Sequence, residues 1–402
     1  MDATRSMALA LLRGVLEQRR PLEEALLRLP EAAPRDRAAA HRLAATVLRR
    51  MGSLDAVLEP HLNRAPPPPV RLILLIGAAQ LLFLDTPAHA AVATAVDLAR
   101  AEKLAPFAKL VNAVLRRVAD QGARLLAELD APRLDTPPWL WASWGTAARA
   151  IAIANQTEAS IDLTVRPGAA APPGGVTLPT GSVRFPTGTR VAELPGYAEG
   201  NFWVQDVAAA LPARLLAARP GELVADLCAA PGGKTAQLAA AGARVVAVDR
   251  DTKRLARVAE NLARLRLTAE LIEADAATWA PSQKFDAVLL DAPCSATGTI
   301  RRHPDVPHLK RPRDIADLAA NQRALLAAAA RLLKPDGRLI YAVCSLQPEE
   351  RPTVPASLTL APFTSEELPD DLTYEGQLRT HPGLWPELAG MDGFFAARFI
   401  RK

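Results

Sequence analysis

Two cysteines, Cys294 and Cys344, each follow an apolar, strand-like run of the chain. They lie in the segments Asp291-Ala-Pro-Cys294 and Tyr341-Ala-Val-Cys-Ser345. A thiolate is a strong nucleophile that can form a covalent intermediate, and a second thiol beside it can assist the release of the product. A lone cysteine in such a place is more often buried and inert. Two cysteines at the ends of strands that we expect to be neighbours indicate a catalytic pair.

A glycine-containing turn before a predicted helix indicates a cofactor site. It reads Asp226-Leu-Cys-Ala-Ala-Pro-Gly-Gly-Lys-Thr235, and its small residues let backbone N–H groups approach a ligand at the positive end of the helix. The GxGxxG pattern is absent. Because Cys228 replaces the first glycine of a Walker A loop, a nucleoside triphosphate site is excluded. A simple strand-to-helix turn remains the alternative for the glycines alone.

Two carboxylates narrow the choice of cofactor. Asp249 ends the second strand-like run, where a carboxylate can bind both hydroxyls of a ribose. Asp275 follows the third run and is placed to accept the exocyclic amine of an adenine, although taken alone it is more simply the N-cap of a helix. With the glycine turn, these residues predict an adenosine-bearing cofactor without a large phosphate group. S-adenosylmethionine suits this site better than NAD.

The thiols and this cofactor together predict methyl transfer to a cytosine. Carbon 5 of cytosine is a poor nucleophile, but addition of a thiolate to carbon 6 turns the ring into an enamine that can attack a methyl sulfonium. Asp291, kept partly protonated by burial or by the neutral ring, could donate to ring nitrogen 3. After transfer, a base must remove the carbon 5 proton and the enzyme thiol must leave. The residues alone do not decide which cysteine attacks.

Strand-like runs that alternate with helical patterns must position these residues. The runs cover 223–226, 244–249, 270–274, 286–291 and 338–343. Such alternation predicts a parallel, doubly wound α/β sheet of the Rossmann-like class over residues 202–402. Ligands of such sheets lie beyond the carboxyl ends of the strands, at the switch point. The candidate residues all lie at those ends.

The preceding residues divide into two parts. Residues 1–130 predict an all-α bundle, with amphipathic helices over 7–18 and 37–51 and a helix that Thr86 caps, with Pro87 in its first position. The apolar run 72–84 is shorter than the roughly 20 residues of a bilayer span, so it predicts a buried core helix. Residues 131–201 predict a small α+β segment, with a β-like run at 162–166.

Composition and charge bound the protein class. With 402 residues, 50% of them hydrophobic and 23% charged, the chain is not disordered. Three cysteines without CxxC spacing exclude a disulfide framework and give no zinc motif. The net charge of +5, most of it within residues 1–130, permits a polyanionic partner. The first twenty residues lack a secretion signal, which predicts a cytoplasmic protein.

Several segments resemble, in order, the RNA cytosine-C5 methyltransferases of the Sun/NOL/NOP family. They are DLCAAPGGKT, VDRD, DAPCSATGTIRRHPDV, YAVCSLQPEE and GMDGFFAARFIRK. Upstream, LILLIGAAQLLFLDTPAHAAVATAVDLAR and KLVNAVLRRV are similar to the NusB-type RNA-binding bundle. A NusB-like bundle fused to this catalytic domain is the arrangement of bacterial enzymes that methylate a cytosine of 16S rRNA. The resemblance therefore covers nearly the whole chain.

The resemblance implies a role for each candidate residue. S-adenosylmethionine is the implied cofactor, and the residues implied to line its methionine side are Cys228, Ala229, Ala230, Pro231, Gly232, Gly233 and Lys234. Asp249 and Asp275 would hold the ribose and the adenine, and Asp291 would touch the methionyl amine or the target base. Cys344 is the implied nucleophile, and Cys294 would release the product. The implied partner is 16S rRNA, with no DNA, membrane or metal, and we expect a monomer.

Some features depart from the family or leave alternatives open. Arg351-Pro352 and Pro355 break the helix that usually follows the second cysteine motif, and Pro167 replaces a common asparagine.

Other candidates for RNA contact are Arg301, Arg302, His303, Trp139, Trp141 and Trp144. A solvated loop is the alternative for the first three residues, and helix packing is the alternative for the three tryptophans. Asp206 most simply caps the helix that starts at Val207. A tRNA substrate, or an assembly factor with a vestigial catalytic domain, remains a competing hypothesis, whereas DAPC disfavours amino-group methylation.

Overall fold

The computed structural model describes residues 3–402. Its α-helices are α1 (Ala3–Leu16), α2 (Leu22–Leu27), α3 (Pro34–Arg49), α4 (Met51–Leu58), α5 (Pro68–Phe83), α6 (Ala88–Ala101), α7 (Ala108–Glu128), α8 (Ala131–Leu134), α9 (Pro138–Ser143), α10 (Ala148–Asn155), α11 (Val207–Leu216), α12 (Gly233–Ala240), α13 (Thr252–Leu265), α14 (Val306–Leu309) and α15 (Pro312–Leu332). Its β-strands are β1 (Ile161–Val165), β2 (Val176–Thr177), β3 (Val183–Phe185), β4 (Phe202–Val204), β5 (Leu223–Leu227), β6 (Arg244–Asp249), β7 (Glu270–Glu273), β8 (Phe285–Asp291), β9 (Leu333–Val343), β10 (Leu358–Leu360), β11 (Thr373–Tyr374), β12 (Gln377–Arg379) and β13 (Phe395–Arg401).

The chain folds as two compact units. The helical unit contains the residues up to Thr157 together with Ile300–Arg311, and the sheet unit contains Glu158–Thr299 together with Pro312–Lys402. Within residues 3–402, every helix is too short or too polar to cross a bilayer.

Helix α5 forms the centre of the helical unit. It packs against α1, α3, α4, α6 and α7, and its residues from Leu72 to Gln80 are all buried. A helix that is apolar on every side needs such a surround, so the predicted core helix is confirmed. The predicted cap at Thr86 is wrong. Pro87 has an extended ψ of 132° and is itself the N-cap, without a side-chain cap bond, and α6 starts one residue later.

The segment 300–311, which follows the Cys294 motif in the sequence, is part of the helical unit. The Arg49 guanidinium donates to the carbonyl oxygen of Arg301 at 2.9 Å, and the Leu22 N–H donates to Asp305 Oδ2 at 2.9 Å. A ring nitrogen of His308 lies 2.9 Å from the Leu48 carbonyl oxygen. The helical unit is therefore discontinuous in sequence.

The small sheet of the sheet unit is antiparallel, with strand order β2-β3-β1-β4. A buried ion pair joins β1 to β3, since Arg184 Nε donates to Asp162 Oδ1 at 2.6 Å. Asp162 Oδ2 also accepts from the Val207 N–H at 3.0 Å. The side chain of Asp206 accepts from the Ala208 N–H at the start of α11, so its predicted role as a helix cap is confirmed.

The large sheet has the strand order β11-β12-β13-β9-β8-β5-β6-β7, with β10 paired to β13. Strands β5 to β9 run parallel, as predicted, whereas β10 to β13 add an antiparallel part that the alternation did not predict. β9 starts at Leu333, earlier than expected, because an irregularity in its pairing with β8 lets it run through Lys334-Pro-Asp-Gly337. The order reverses between β5 and β8, which opens a crevice at their carboxyl ends.

Candidate active site

The glycine turn joins β5 to α12 at the carboxyl edge of the parallel strands. Gly232 has φ +98°, and a Cβ there would lie 3.0 Å from Val258 Cγ1, so both backbone and space favour glycine. Helix α12 begins at the next residue, Gly233. Cys228 also adopts a left-handed backbone, with φ +60°. Burial and the carboxylates Asp291 and Asp249 raise its pKa to about 12, so this third thiol stays protonated.

Asp249 is buried at the end of β6 and faces the turn. Its Oδ2 accepts from the Ala230 N–H at 3.2 Å and lies 3.5 Å from Arg254 Nη1, and its Oδ1 accepts from the Asp251 N–H at 3.2 Å. A carboxylate has about four acceptor positions, so capacity remains for ligand hydroxyls. Asp249 thus both fixes the turn and presents acceptors beside it.

Asp275 lies two residues beyond β7, the strand next to β6. It is exposed, and its Oδ1 accepts from the Ala277 N–H at 2.9 Å in a turn over residues 276–278. No helix starts there, so the alternative interpretation of Asp275 as a helix N-cap is wrong. The short side chain stabilises a turn because it can bond to the backbone two residues on.

The two cysteines meet at the ends of β8 and β9. These strands pair in parallel, with Asp291 opposite Ala342, and the Sγ atoms of Cys294 and Cys344 are 3.4 Å apart. The hydrogen bond with Cys344, together with burial, raises the pKa of Cys294 well above its ordinary value. The Cys294 thiol therefore keeps its proton, and a protonated thiol can donate a hydrogen bond to a neighbouring sulfur.

Lys234 places a positive charge beside the thiol pair. Its Nζ donates to Asp291 Oδ2 at 2.7 Å and lies 5.4 Å from the centre of the Phe394 ring. Burial alone would lower the pKa of Lys234, but Asp291, with a smaller contribution from Cys344, outweighs it and raises the pKa. Lys234 therefore keeps its positive charge. Asp291 accepts this hydrogen bond through Oδ2, and its expected role as a proton donor stays a prediction.

A buried glutamate, Glu350, connects the loops that carry the cysteines. It is 1% exposed, and its Oε1 accepts from the Ser295 N–H and from Gln322 Nε2, both at 2.9 Å. Its Oε2 accepts from the hydroxyls of Ser295 and Ser345. Its own carbonyl oxygen accepts from the Tyr341 hydroxyl at 2.8 Å. The residue after each cysteine is thus tied to one carboxylate.

Sequence reasoning did not single out Glu350 as a functional residue. The available signal was the repeated Cys-Ser pair at 294–295 and 344–345. Two hydroxyls leaving neighbouring strands need a common acceptor if they are buried. Only the structure identifies that acceptor, because Glu350 lies in the irregular segment after Cys344, where no periodic pattern shows that it packs against the strand ends.

Two glycines hold the Cys294 loop against the segment before β13. The Gly393 N–H donates to the Gly298 carbonyl oxygen at 2.8 Å, and the Gly298 N–H donates to that of Cys344 at 3.0 Å. A Cβ on Gly298 would lie 2.0 Å from the Gly393 carbonyl oxygen. These backbones touch directly, so the motifs at 291–298, 344–350 and 391–394 form one packed site.

Other sequence candidates lie outside this site. Arg301 is 2% exposed within the helical unit, so it cannot offer its guanidinium to a phosphate. The expectation for this residue is wrong because the segment 300–311 packs into that unit. Trp144 is buried, as helix packing predicts. Beyond Glu350, residues 351–357 form no helix, which confirms the predicted break at Pro352 and Pro355.

Comparison with known families identifies both parts of the chain. Residues 213–400 match the model of the 16S rRNA methyltransferase RsmB/F family. Residues 2–120 match the model of the NusB family. The first match includes the candidate cofactor turn and both cysteines.

Relatives and solved structures extend the likeness over the full length. The ribosomal RNA small subunit methyltransferase B of Erwinia tasmaniensis is 36% identical, covering 100% of this chain and 99% of that protein. The protein of the same name from Pseudomonas putida is 39% identical over 97% and 96% of the two chains. The crystal structure of PH0851 shares the fold, with a TM-score of 0.74 and 24% identity over 99% and 98%. The chain therefore belongs to the RsmB/F family of 16S rRNA methyltransferases and carries a NusB-family domain in its N-terminal part.

Proposed function

We propose that this chain transfers a methyl group from S-adenosylmethionine to carbon 5 of one cytosine in 16S rRNA, in the cytoplasm. The observation that carries the proposal is the pair of thiols 3.4 Å apart beside the Lys234–Asp291 ion pair. Methylation of an amino group or of a ribose hydroxyl needs no thiol. Addition of sulfur to carbon 6 of a pyrimidine does need one, because it activates carbon 5.

The residues around the turn fit S-adenosylmethionine. Asp249 retains acceptor capacity for two ribose hydroxyls, Asp275 offers an exposed carboxylate on the next strand for the adenine amine, and the turn 228–234 would line the methionine side. Asp291 would contact the methionyl amine or the target base. When bound, this cofactor supplies an electrophilic methyl group on a sulfonium. A third residue, Cys228, is unsuited to attack because its high pKa keeps it protonated.

The raised pKa of Cys294 supports Cys344 as the nucleophile, because a thiol that keeps its proton attacks poorly. In the proposed reaction the Cys344 sulfur bonds to carbon 6, the electron pair moves to carbon 5, and carbon 5 takes the methyl group. A base then removes the hydrogen on carbon 5 as a proton, the electron pair of that bond re-forms the double bond between carbons 5 and 6, and the carbon–sulfur bond breaks to release the Cys344 thiolate. Cys294, which holds its own proton, can donate a hydrogen bond to the departing Cys344 sulfur and so ease product release.

The test is transfer of labelled methyl to protein-free 16S rRNA with the wild-type chain, followed by mapping of the modified base. We expect 5-methylcytosine at one position. Transfer to tRNA but not to rRNA would overturn the substrate, and a methylated base other than 5-methylcytosine would overturn the chemistry. Binding of RNA without any binding of S-adenosylmethionine would favour an assembly factor with a vestigial catalytic domain.

Replacement of Asp249 by asparagine tests the cofactor site. The amide can keep its oxygen toward the Ala230 N–H and Arg254, but it then presents N–H groups to the Asp251 N–H and loses the negative charge and one acceptor for ligand hydroxyls. We therefore expect the Kd for S-adenosylmethionine to rise by about tenfold or more, as for loss of a charged hydrogen bond. Isothermal titration measures it. Asp251→Asn is the matched control, because this exposed neighbour caps α13 through its side chain and asparagine can keep that cap. An equal weakening in both variants would contradict the assignment.

A further inference from the structure

A groove of about 700 Å³ lies on the helical unit, between the loop that leads into α5 and one side of α7. Arg64 and His61 lie in the loop, and Phe107 and Arg117 lie on the opposite wall. We call this feature the basic groove. It is separate in sequence from every residue of the candidate active site.

The charges of the basic groove are not neutralised. Its lining contains no Asp or Glu, and within residues 3–402 neither Arg64 nor Arg117 makes an ion pair. Elsewhere in the helical unit many arginines have carboxylate partners. Examples are Arg13 with Glu102, Arg50 with Asp135 and Arg149 with Asp130. Two exposed guanidiniums without counter-charges leave a positive potential that attracts an anion.

His61 forms part of the groove without adding a charge. Only 9% of it is exposed, and burial, with a smaller effect from the nearby Arg117 charge, lowers its pKa. The ring is therefore neutral at physiological pH. Its Nε2 has no hydrogen-bond partner among the described residues. An unpartnered buried nitrogen is uncommon, and a polar ligand group is one way to satisfy it.

Phe107 gives the groove a flat apolar wall. It is half-buried, beside Leu110 and facing the loop that carries Arg64. An aromatic ring next to guanidiniums is the combination that binds single-stranded RNA, since bases stack on the ring while phosphate oxygens accept from arginine. The groove is lined by charged and polar residues as well as apolar ones, unlike the broad apolar faces that insert into membranes.

We propose that the basic groove binds the phosphodiester backbone and one unpaired base of the RNA substrate. This inference rests on the proposed function for the identity of the RNA. It assigns Arg64 and Arg117 to the phosphates and Phe107 to the base, while the chemical step remains with the sheet unit.

The test combines Arg64→Ala with Arg117→Ala and measures binding and methylation of protein-free 16S rRNA. Loss of two charged contacts is expected to raise the Kd and the KM for RNA by about tenfold or more, with kcat unchanged. In a plot of the logarithm of the RNA association constant against the logarithm of salt concentration, the slope should become shallower by about 1.4. This is the value for two phosphate contacts to a single strand. Phe107→Leu should weaken binding without changing that slope.

Arg42→Ala is the matched control. Arg42 is an exposed arginine of α3 outside the groove, and it makes no ion pair within residues 3–402. Its replacement by alanine removes one positive charge, as each groove substitution does. The groove proposal is overturned if the double variant changes log Kd and the salt slope by only twice as much as Arg42→Ala does. Net charge would then explain the binding. If wild type binds rRNA through the groove but methylates no base, the proposed function fails while the groove proposal stands.

Discussion

Replacement of Cys344 by serine is expected to abolish methyl transfer, lowering kcat by at least about a thousandfold, because a hydroxyl without a base is a far weaker nucleophile than a thiolate. The measurement is incorporation of labelled methyl into 16S rRNA at saturating cofactor. The variant should still bind S-adenosylmethionine, since the turn, Asp249 and Asp291 are unchanged. A serine is close in size to cysteine, so thermal unfolding should change little.

Cys294→Ser is the matched control for the same prediction. In this variant Cys344 can still attack carbon 6. The group that would donate a hydrogen bond to the departing Cys344 sulfur is now a serine hydroxyl, whose proton affinity differs from that of a thiol. We expect slow turnover and accumulation of a covalent complex between RNA and protein, visible as a band that survives denaturing electrophoresis. If the adduct instead accumulates with Cys344→Ser and not with Cys294→Ser, the two roles are reversed.

Replacement of Glu350 by alanine is expected to lower both stability and kcat. Four buried donors from Ser295, Ser345 and Gln322 would lose Glu350 as an acceptor, of which the Gln322 amide keeps the Pro293 carbonyl oxygen and the two hydroxyls keep each other. Because a buried unsatisfied group costs about 1–3 kcal/mol, we expect the free energy of unfolding to fall by about that amount. The two cysteine loops would lose one of the contacts that hold them together, while the bond from the Gly298 N–H to the Cys344 carbonyl oxygen would remain. Misplacement of reacting groups by about 1 Å can cost a hundredfold in rate.

The conservative variant and a neighbouring residue distinguish positioning from simple destabilisation. Glu350→Gln keeps the shape and one acceptor, so it should recover part of kcat. Glu349→Ala removes a charge from an exposed neighbour and should leave both quantities unchanged. Kinetics below the melting temperature should show a loss in kcat with the KM for S-adenosylmethionine retained. A melting shift in Glu350→Ala with normal kcat would contradict the positioning role.

The meeting of the two cysteines could be predicted from the sequence because it follows from a periodic pattern. Apolar runs of strand length, separated by helical segments, predict parallel strands. The end of each such strand is then known to within a residue or two, as for β6 and β8. Parallel neighbours bring their carboxyl ends together, so Asp291, Cys294 and Cys344 were expected at one edge. Their 3.4 Å separation still depends on loops that have no period.

The contacts between distant, irregular segments could not be predicted. Glu350 is buried by loops, and a charged residue in an exposed-looking PEER segment gives no local sign of burial. The same holds for Arg301, whose basic neighbours suggested a solvated or RNA-binding loop. Its burial depends on partners more than 200 residues away in the sequence, such as Arg49. The antiparallel strands β10–β13 are short and have no helices between them, so alternation could not reveal them.

The discontinuity of the helical unit imposes an order on biosynthesis. While the chain emerges from the ribosome, α1 to α10 are complete long before residues 300–311 appear. Until then the Leu22 N–H lacks Asp305 and the Leu48 carbonyl oxygen lacks His308, so the nascent helical unit is unfinished. It closes only after β5 to β8 have been translated, and before β9 and β13 exist. A fragment that ends at Thr157 would for the same reason lack an internal part of its own fold.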